Sequence, residues 1–218
     1  MPAHPSRSGS YPEILLDQNC RIGFSENSTS AKTENSDGLS VEVSFEIRHP
    51  PALSLCFARC YDLTGLQRWP REPKPSILGV AGGLVLLDLD IPFCDAGHNE
   101  QWCYRNYFVY RAGPVTPSLH LLPGPYPARP SMKVAILPIC DDGEHYAVVF
   151  PCIKFIVLES RHNYTLHVYR SDSKAWCTRV ARIADDPETQ NAMVKVALHY
   201  PTSVVHAGPG LVGWVDLW

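Results

Sequence analysis

SILGVAGGLVLLDLD, residues 76–90, carries the strongest structural signal in the chain. Two apolar runs meet at Gly82-Gly83, and a tight two-residue hairpin turn needs a backbone that tolerates positive φ, so the stretch predicts two antiparallel strands. It returns as SVVHAGPGLVGWVDL, residues 203–217, with the same order of strand, glycine-containing turn and Leu-Val restart. A second echo accompanies the first: Val109-Tyr110-Arg111 recurs as Val168-Tyr169-Arg170, 59 residues later, each time closing a strand before a turn and an outer strand. Four short strands repeated at a spacing of about 50–60 residues fit β-propeller blades, which cannot bury their faces alone and therefore stack.

Upstream, VEVSFEI (41–47) alternates Val41, Val43, Phe45 and Ile47 with Glu42, Ser44 and Glu46, a strand with one wet face. In ALSLCFARC (52–60), Leu53, Leu55 and Phe57 face one way and the small Ala52, Ser54, Cys56, Ala58 and Cys60 the other, which suits burial on both faces. YFVYRAG (107–113) and SLHLLPG (118–124) are the next strands, and KVAILPI (133–139) pairs with HYAVVFP (145–151) across a Cys-Asp-Asp-Gly turn. YTLHVYRS (164–171) and AWCTRVAR (175–182) flank a Ser-Asp-Ser turn. One full blade is therefore expected near 76–123 and a second near 133–182. The segment 41–70 supplies outer strands of a preceding blade, and 193–218 the inner strands of a following one. Asp186 to Ala192 carries a helix-start pattern, but Val194, Val196, Leu198 and Tyr200 behind it alternate as a strand does.

The expected fold is all-β, an incomplete propeller-like array of antiparallel four-stranded blades. A two-sheet β-sandwich, which uses the same short strands, is the alternative. Residues 1–40 read as a polar segment with one short strand, and 41–218 as a single propeller-like domain truncated at its C-terminal edge. Composition agrees: 20 prolines and 14 glycines in 218 residues favour turns over long helices.

A formal charge of −3 with no long basic run lacks the clustered positive face of a nucleic-acid binder. No stretch has the apolar length of a signal peptide or a membrane span, so the sequence points to the cytoplasm or nucleus, with no membrane partner. In that reducing setting the eight cysteines are expected as free thiols.

Signals for chemistry are thin. His98-Asn99-Glu100 followed by Cys103 resembles half of a zinc-deaminase site, but the second half, Pro-Cys-x-x-Cys, is missing. Cys56 and Cys60 on one strand would stand about 13 Å apart, too far to share a metal ion. There is no Gly-x-Ser-x-Gly elbow, and Gly82-Gly83 opens no helix that could hold phosphate. His120, His167 and His206 fall in predicted strands, and Asp141-Asp142 and Asp185-Asp186 fall at turns, where aspartate caps backbone N–H groups. No catalytic, cofactor or metal residue is assigned.

Taken together, LLD (15–17), PPALSLCFARC, YFVYRAG, PSLHLLPGPYP (117–127), YTLHVYRSDSKAWCTR and GWVDLW (213–218) resemble the grass-expanded plant family known as domain of unknown function 1618. The resemblance implies a propeller-type protein that binds rather than catalyses, sometimes compared with the substrate-receptor halves of F-box proteins. It also implies that GWVDLW runs on into a further region, so that the chain stops mid-blade. An F-box would be a helical, Leu-rich segment, and residues 1–40 are Ser- and Asn-rich and lack it.

The expected function is thus a non-enzymatic protein-interaction module. A hydrolase-type enzyme with a site assembled from distant strands is one alternative, and a degenerate truncated family member is another. The expected interaction edge is Leu211, Val212, Trp214, Asp216 and Trp218, offered to a protein partner or a second copy. Trp214 and Trp218 share a face and are expected to stand bare; full burial would be worth roughly 4–6 kcal/mol apiece. The competing arrangement folds residues 1–40, through Ile14-Leu15-Leu16, back over that edge. Far-ultraviolet circular dichroism should show a strand-dominated spectrum with less than about a tenth helix.

Overall fold

The computed structural model describes residues 14–35, 37–61, 74–94, 101–113, 116–126, 133–139, 144–154, 163–181, 203–208 and 211–215. Among them the chain is all-β and not closed into a barrel. No helix among them is long and apolar enough to cross a membrane. The first sheet holds β1 (Leu15–Ile22), β2 (Ala31–Glu34), β3 (Ser40–Glu46) and β4 (Leu53–Tyr61) in the order β1-β4-β3-β2. The second is a meander of β5 (Lys74–Ala81), β6 (Leu84–Cys94), β7 (Gln101–Arg111) and β8 (Ser118–Leu121). The third is a meander of β9 (Ala135–Pro138), β10 (Tyr146–Lys154), β11 (Asn163–Arg170) and β12 (Ala175–Ala181). β13 (Ser203–Gly208) and β14 (Leu211–Val215) form a two-stranded sheet.

The hairpin at residues 82–83 forms as expected. Ala81 faces Leu84, and Gly82 and Gly83 take φ of 54° and 79°, the left-handed backbone of a tight hairpin turn. Each blade-sized segment read from the sequence is one sheet, although β7 begins at Gln101, six residues before the expected start.

The sheets stack face to face. β6 explains why: its apolar run is continuous, so alternation drives apolar side chains to both faces. Val85, Leu87 and Leu89, with Phe108 and Tyr110 of β7, meet Val41, Val43, Phe45, Cys56 and Ala58 of the first sheet. Leu84 and Leu86, with Tyr107 and Val109, meet Ile136, Val148, Phe150 and Tyr169 of the third. A third cluster joins the outer face of the third sheet, through Leu137, Val149, Leu166 and Val168, to Val204, Val212 and Trp214 of the hairpin.

Three expectations fail in the first sheet. The segment before residue 40 holds two strands, and both belong to this sheet. The sheet is not wholly antiparallel: β1 runs parallel to β4, from Leu15 opposite Leu53 to Ile22 opposite Ala58, with a register shift between Leu16 and Cys20. Ile14-Leu15-Leu16 therefore leads into the far end of the stack, and β1 does not cover β14. Finally, the polar face of β3 is wet only at Glu46; Glu42 and Ser44 are buried. The chain between β1 and β2 lies against Ser44, with Ser25 N donating to Ser44 Oγ at 3.0 Å, and the Arg59 and Tyr61 side chains of β4 reach over Glu42.

The helix-start pattern at 186–192, the strand-like 194–200 and the carboxylate pairs at 141–142 and 185–186 lie outside the described residues. Phe150 is fully buried and meets Tyr107 and Trp176 edge-on, with centroids 4.9 and 5.4 Å away. Phe150→Ala should lower unfolding free energy by about 3–5 kcal/mol in denaturant titration, because it opens a cavity between two sheets.

Candidate interaction edge

The hairpin register sets which side chains face where. Ser203 opposes Val215, Val204 opposes Trp214, Val205 opposes Gly213, and His206 opposes Val212. Period-two alternation then puts Val204, Val212 and Trp214 on the face that packs on the third sheet, and Val205, Leu211, Gly213 and Val215 on the opposite face.

Trp214 is therefore not bare. Its indole packs on the third sheet, and its Nε1 donates to the Lys133 carbonyl at 2.6 Å, which fixes the ring. Val212 shares that inward face, so charging Val212 and Trp214 would disrupt packing rather than only guard an edge. Asp216 and Trp218 lie outside the described residues. Of the two exposed members of the outer face, the sequence reading named Leu211 and missed Val205. Leu211 is 60% and Val205 42% exposed, and Gly213 between them carries no side chain.

The β14 edge is also unprotected. Edge strands are normally guarded by charge, proline or brevity. β1 carries Asp17 and Arg21, β2 Lys32 and Glu34, β5 Lys74 and Pro75, and β12 Arg179. The four-residue β9 ends in Pro138, and β8 has only four residues. β14, Leu-Val-Gly-Trp-Val, has no charge and no proline, and among the described residues it pairs with β13 alone.

The opposite end of the stack is built differently. On the outer face of the first sheet the Glu42 carboxylate accepts hydrogen bonds from Arg59 Nε at 2.6 Å and Tyr61 OH at 2.8 Å, with Lys32 Nζ at 4.0 Å. The Arg59 guanidinium stands over the Phe24 ring at 4.6 Å and near the Tyr61 ring at 5.1 Å, a cation held by two aromatic faces. Burial by itself would raise the Glu42 carboxyl; the hydrogen bonds from Tyr61 and Arg59 outweigh it and hold the group below the ordinary glutamate range.

Groups that would serve an enzyme are dispersed. Asp88, 4% exposed, lies between the second and third sheets with Arg105 Nε at 3.4 Å, and burial raises its carboxyl. Little of it is open to a substrate. His120 is exposed on β8, and partial desolvation, with the Arg111 and Lys174 cations, lowers its pKa; His167 Nδ1 lies 3.3 Å from Thr178 Oγ1; His206 is exposed on β13. His98-Asn99-Glu100 lies outside the described residues, and among those described no cluster of three or more His, Cys, Asp or Glu side chains is placed to hold a metal ion. Comparison with family models, with curated proteins and with solved structures finds no match to this chain.

Glu42→Gln should lower stability at neutral pH by about 1 kcal/mol, a small value because Arg59 and Lys32 remain largely in water. The sign with pH follows from the depressed carboxyl. Its contribution is present above the ordinary glutamate pKa of about 4.3 and is lost as pH falls through the lower folded-state value. Denaturant midpoints measured against pH should fall less steeply in acid for the variant than for the wild type.

Proposed function

We propose that this chain is a non-enzymatic protein-interaction module, and that it binds by accepting an antiparallel strand at the free edge of β14. The observation that carries this reading is the mismatch in strand number among the described residues: three sheets have four strands, while the fourth has two and presents an uncharged edge. Adding a strand there satisfies backbone N–H and C=O groups and lets alternate side chains continue the apolar outer face.

A second copy of the chain has the chemistry to be that partner. A two-fold axis through Gly213 would set Leu211 opposite Val215 and Val212 opposite Trp214 of the other copy, apolar pairs without like-charge contacts. Two hairpins would then make one four-stranded sheet. The polar Glu42 network at the far end of the stack disfavours head-to-tail growth, so association would close at the dimer. A propeller-like arrangement, as the resemblance to the plant family implies, belongs to the same proposal; face-to-face stacking of successive sheets supports it.

Size-exclusion chromatography with light scattering tests the reading. The wild type should run as a dimer whose population falls on dilution. The double variant Leu211→Lys, Val215→Lys puts lysines opposite one another at both ends of the paired strands, and it should run as a folded monomer with an unchanged dichroism spectrum. A wild type that stays monomeric at every concentration would mean that the edge is covered within one chain, and it would overturn the self-association arm.

A further inference from the structure

The register shift in β1 brings two cysteines face to face. β1 pairs with β4 as Leu15 with Leu53 and Leu16 with Ser54, then slips, so that Cys20 stands opposite Cys56. Their sulfur atoms are 3.2 Å apart. Facing positions on neighbouring strands bring two Cα atoms within the span that a disulfide bridges. The two thiols differ sharply in access. Cys56 is 0% exposed, set in the core between the first and second sheets, where Phe45, its partner on β3, stacks on Tyr110 with centroids 4.6 Å apart. Cys20 is half-buried on the outermost strand of its sheet. Cys60, two positions further along the same face of β4, has no such neighbour on β1: the pairing ends at Ile22 opposite Ala58.

We propose that Cys20 and Cys56 are a reversible redox pair, a site of disulfide formation that fastens β1 to β4 when the chain meets a small-molecule disulfide such as oxidised glutathione. Cys20, the accessible member, loses its proton and attacks one glutathione sulfur, expelling one glutathione thiolate and leaving a mixed disulfide on Cys20. The Cys56 sulfur then loses its proton and attacks Cys20 Sγ. The second glutathione leaves, and the two thiolates take up the two protons. Two protein thiols are oxidised to one disulfide, and one oxidised glutathione is reduced to two thiols. The hydrogen bond with Cys20, and then burial, raise the Cys56 thiol far above its ordinary range, so the second step depends on the neighbouring sulfur already being in contact.

The bridge matters because of where it falls. Every residue of β1 is exposed or half-buried, and the strand is joined to its sheet on one side only. A bond at Cys20 pins it in the middle and closes a loop that contains β2, β3 and the start of β4, which removes freedom from the unfolded chain. The free-thiol state expected in a reducing compartment is the open arm of the same equilibrium.

The test uses the whole chain, equilibrated in glutathione buffers from fully reduced to fully oxidised, quenched by alkylation and digested without reductant. A Cys20–Cys56 linked peptide should grow with the oxidised fraction. The free-thiol count should fall by two from the reduced protein, and the thermal midpoint should rise by several degrees, with reversal by dithiothreitol. Cys20→Ser should abolish the linked peptide and the rise, while Cys60→Ser should keep both. The proposal fails if Cys20 and Cys56 are still alkylated in fully oxidised buffer, or if a glutathione adduct persists on Cys20 without resolving. It also fails if the thermal rise survives in Cys20→Ser.

Discussion

A strand that is apolar on both faces needs cover on both sides. β6 is that strand: Leu84 and Leu86 point one way and Val85, Leu87 and Leu89 the other, and all five are buried. A single two-layer core cannot satisfy such a strand, because it would leave one row of leucines in water. The second sheet therefore sits in the middle of a stack, and its neighbours inherit the problem in weaker form. The third sheet passes it on, with Leu137, Val149, Leu166 and Val168 directed away from the second sheet and toward the hairpin. Stacking is the consequence of one strand's composition repeated along the chain.

A stack has two ends, and a repeat protein must finish each of them. At one end the first sheet turns carboxylate, guanidinium and phenol outward, and the chain between β1 and β2 closes over Ser44 and Phe45 of β3. Glu42 is affordable there only because Arg59 and Tyr61 reach it; a buried carboxylate without them would carry its full desolvation cost. At the other end the hairpin shows Val205, Leu211, Gly213 and Val215, with Ser203 beside Val215 and no charge among them. The contrast between the two ends gives the molecule a direction, and the proposed module uses the apolar end.

Much of the fold was legible because its signals are local. Gly82-Gly83 needs no tertiary information to be a turn, and the alternation of Val41, Val43 and Phe45 marks an inward face by itself. What could not be read depends on contacts between distant segments. Nothing in LLDQNCRI says that it will run parallel to LSLCFARC, since a parallel pair has no connecting turn to betray it. Ser44 looks wet until Ser25 is placed against it, and Glu42 until Arg59 and Tyr61 reach over it. At the candidate edge, alternation put Val212 and Trp214 on one face, but not whether that face was inside. The carbonyl of Lys133, 81 residues away, settles it by accepting the indole proton, and no pattern within β14 encodes that partner.

The parallel pairing of β1 with β4 also sets an order of events in time. The second and third sheets are meanders whose strands can close as soon as each turn is made, but β1 joins partners 36 to 38 residues further along, and the chain must deliver β4 before β1 has anywhere to go. On a ribosome β1, synthesised before β4, is thus the last of its sheet to be placed. Until then β4 offers a bare edge, Cys56 has no sulfur opposite it, and the face of the second sheet that rests on the first must wait for a finished neighbour.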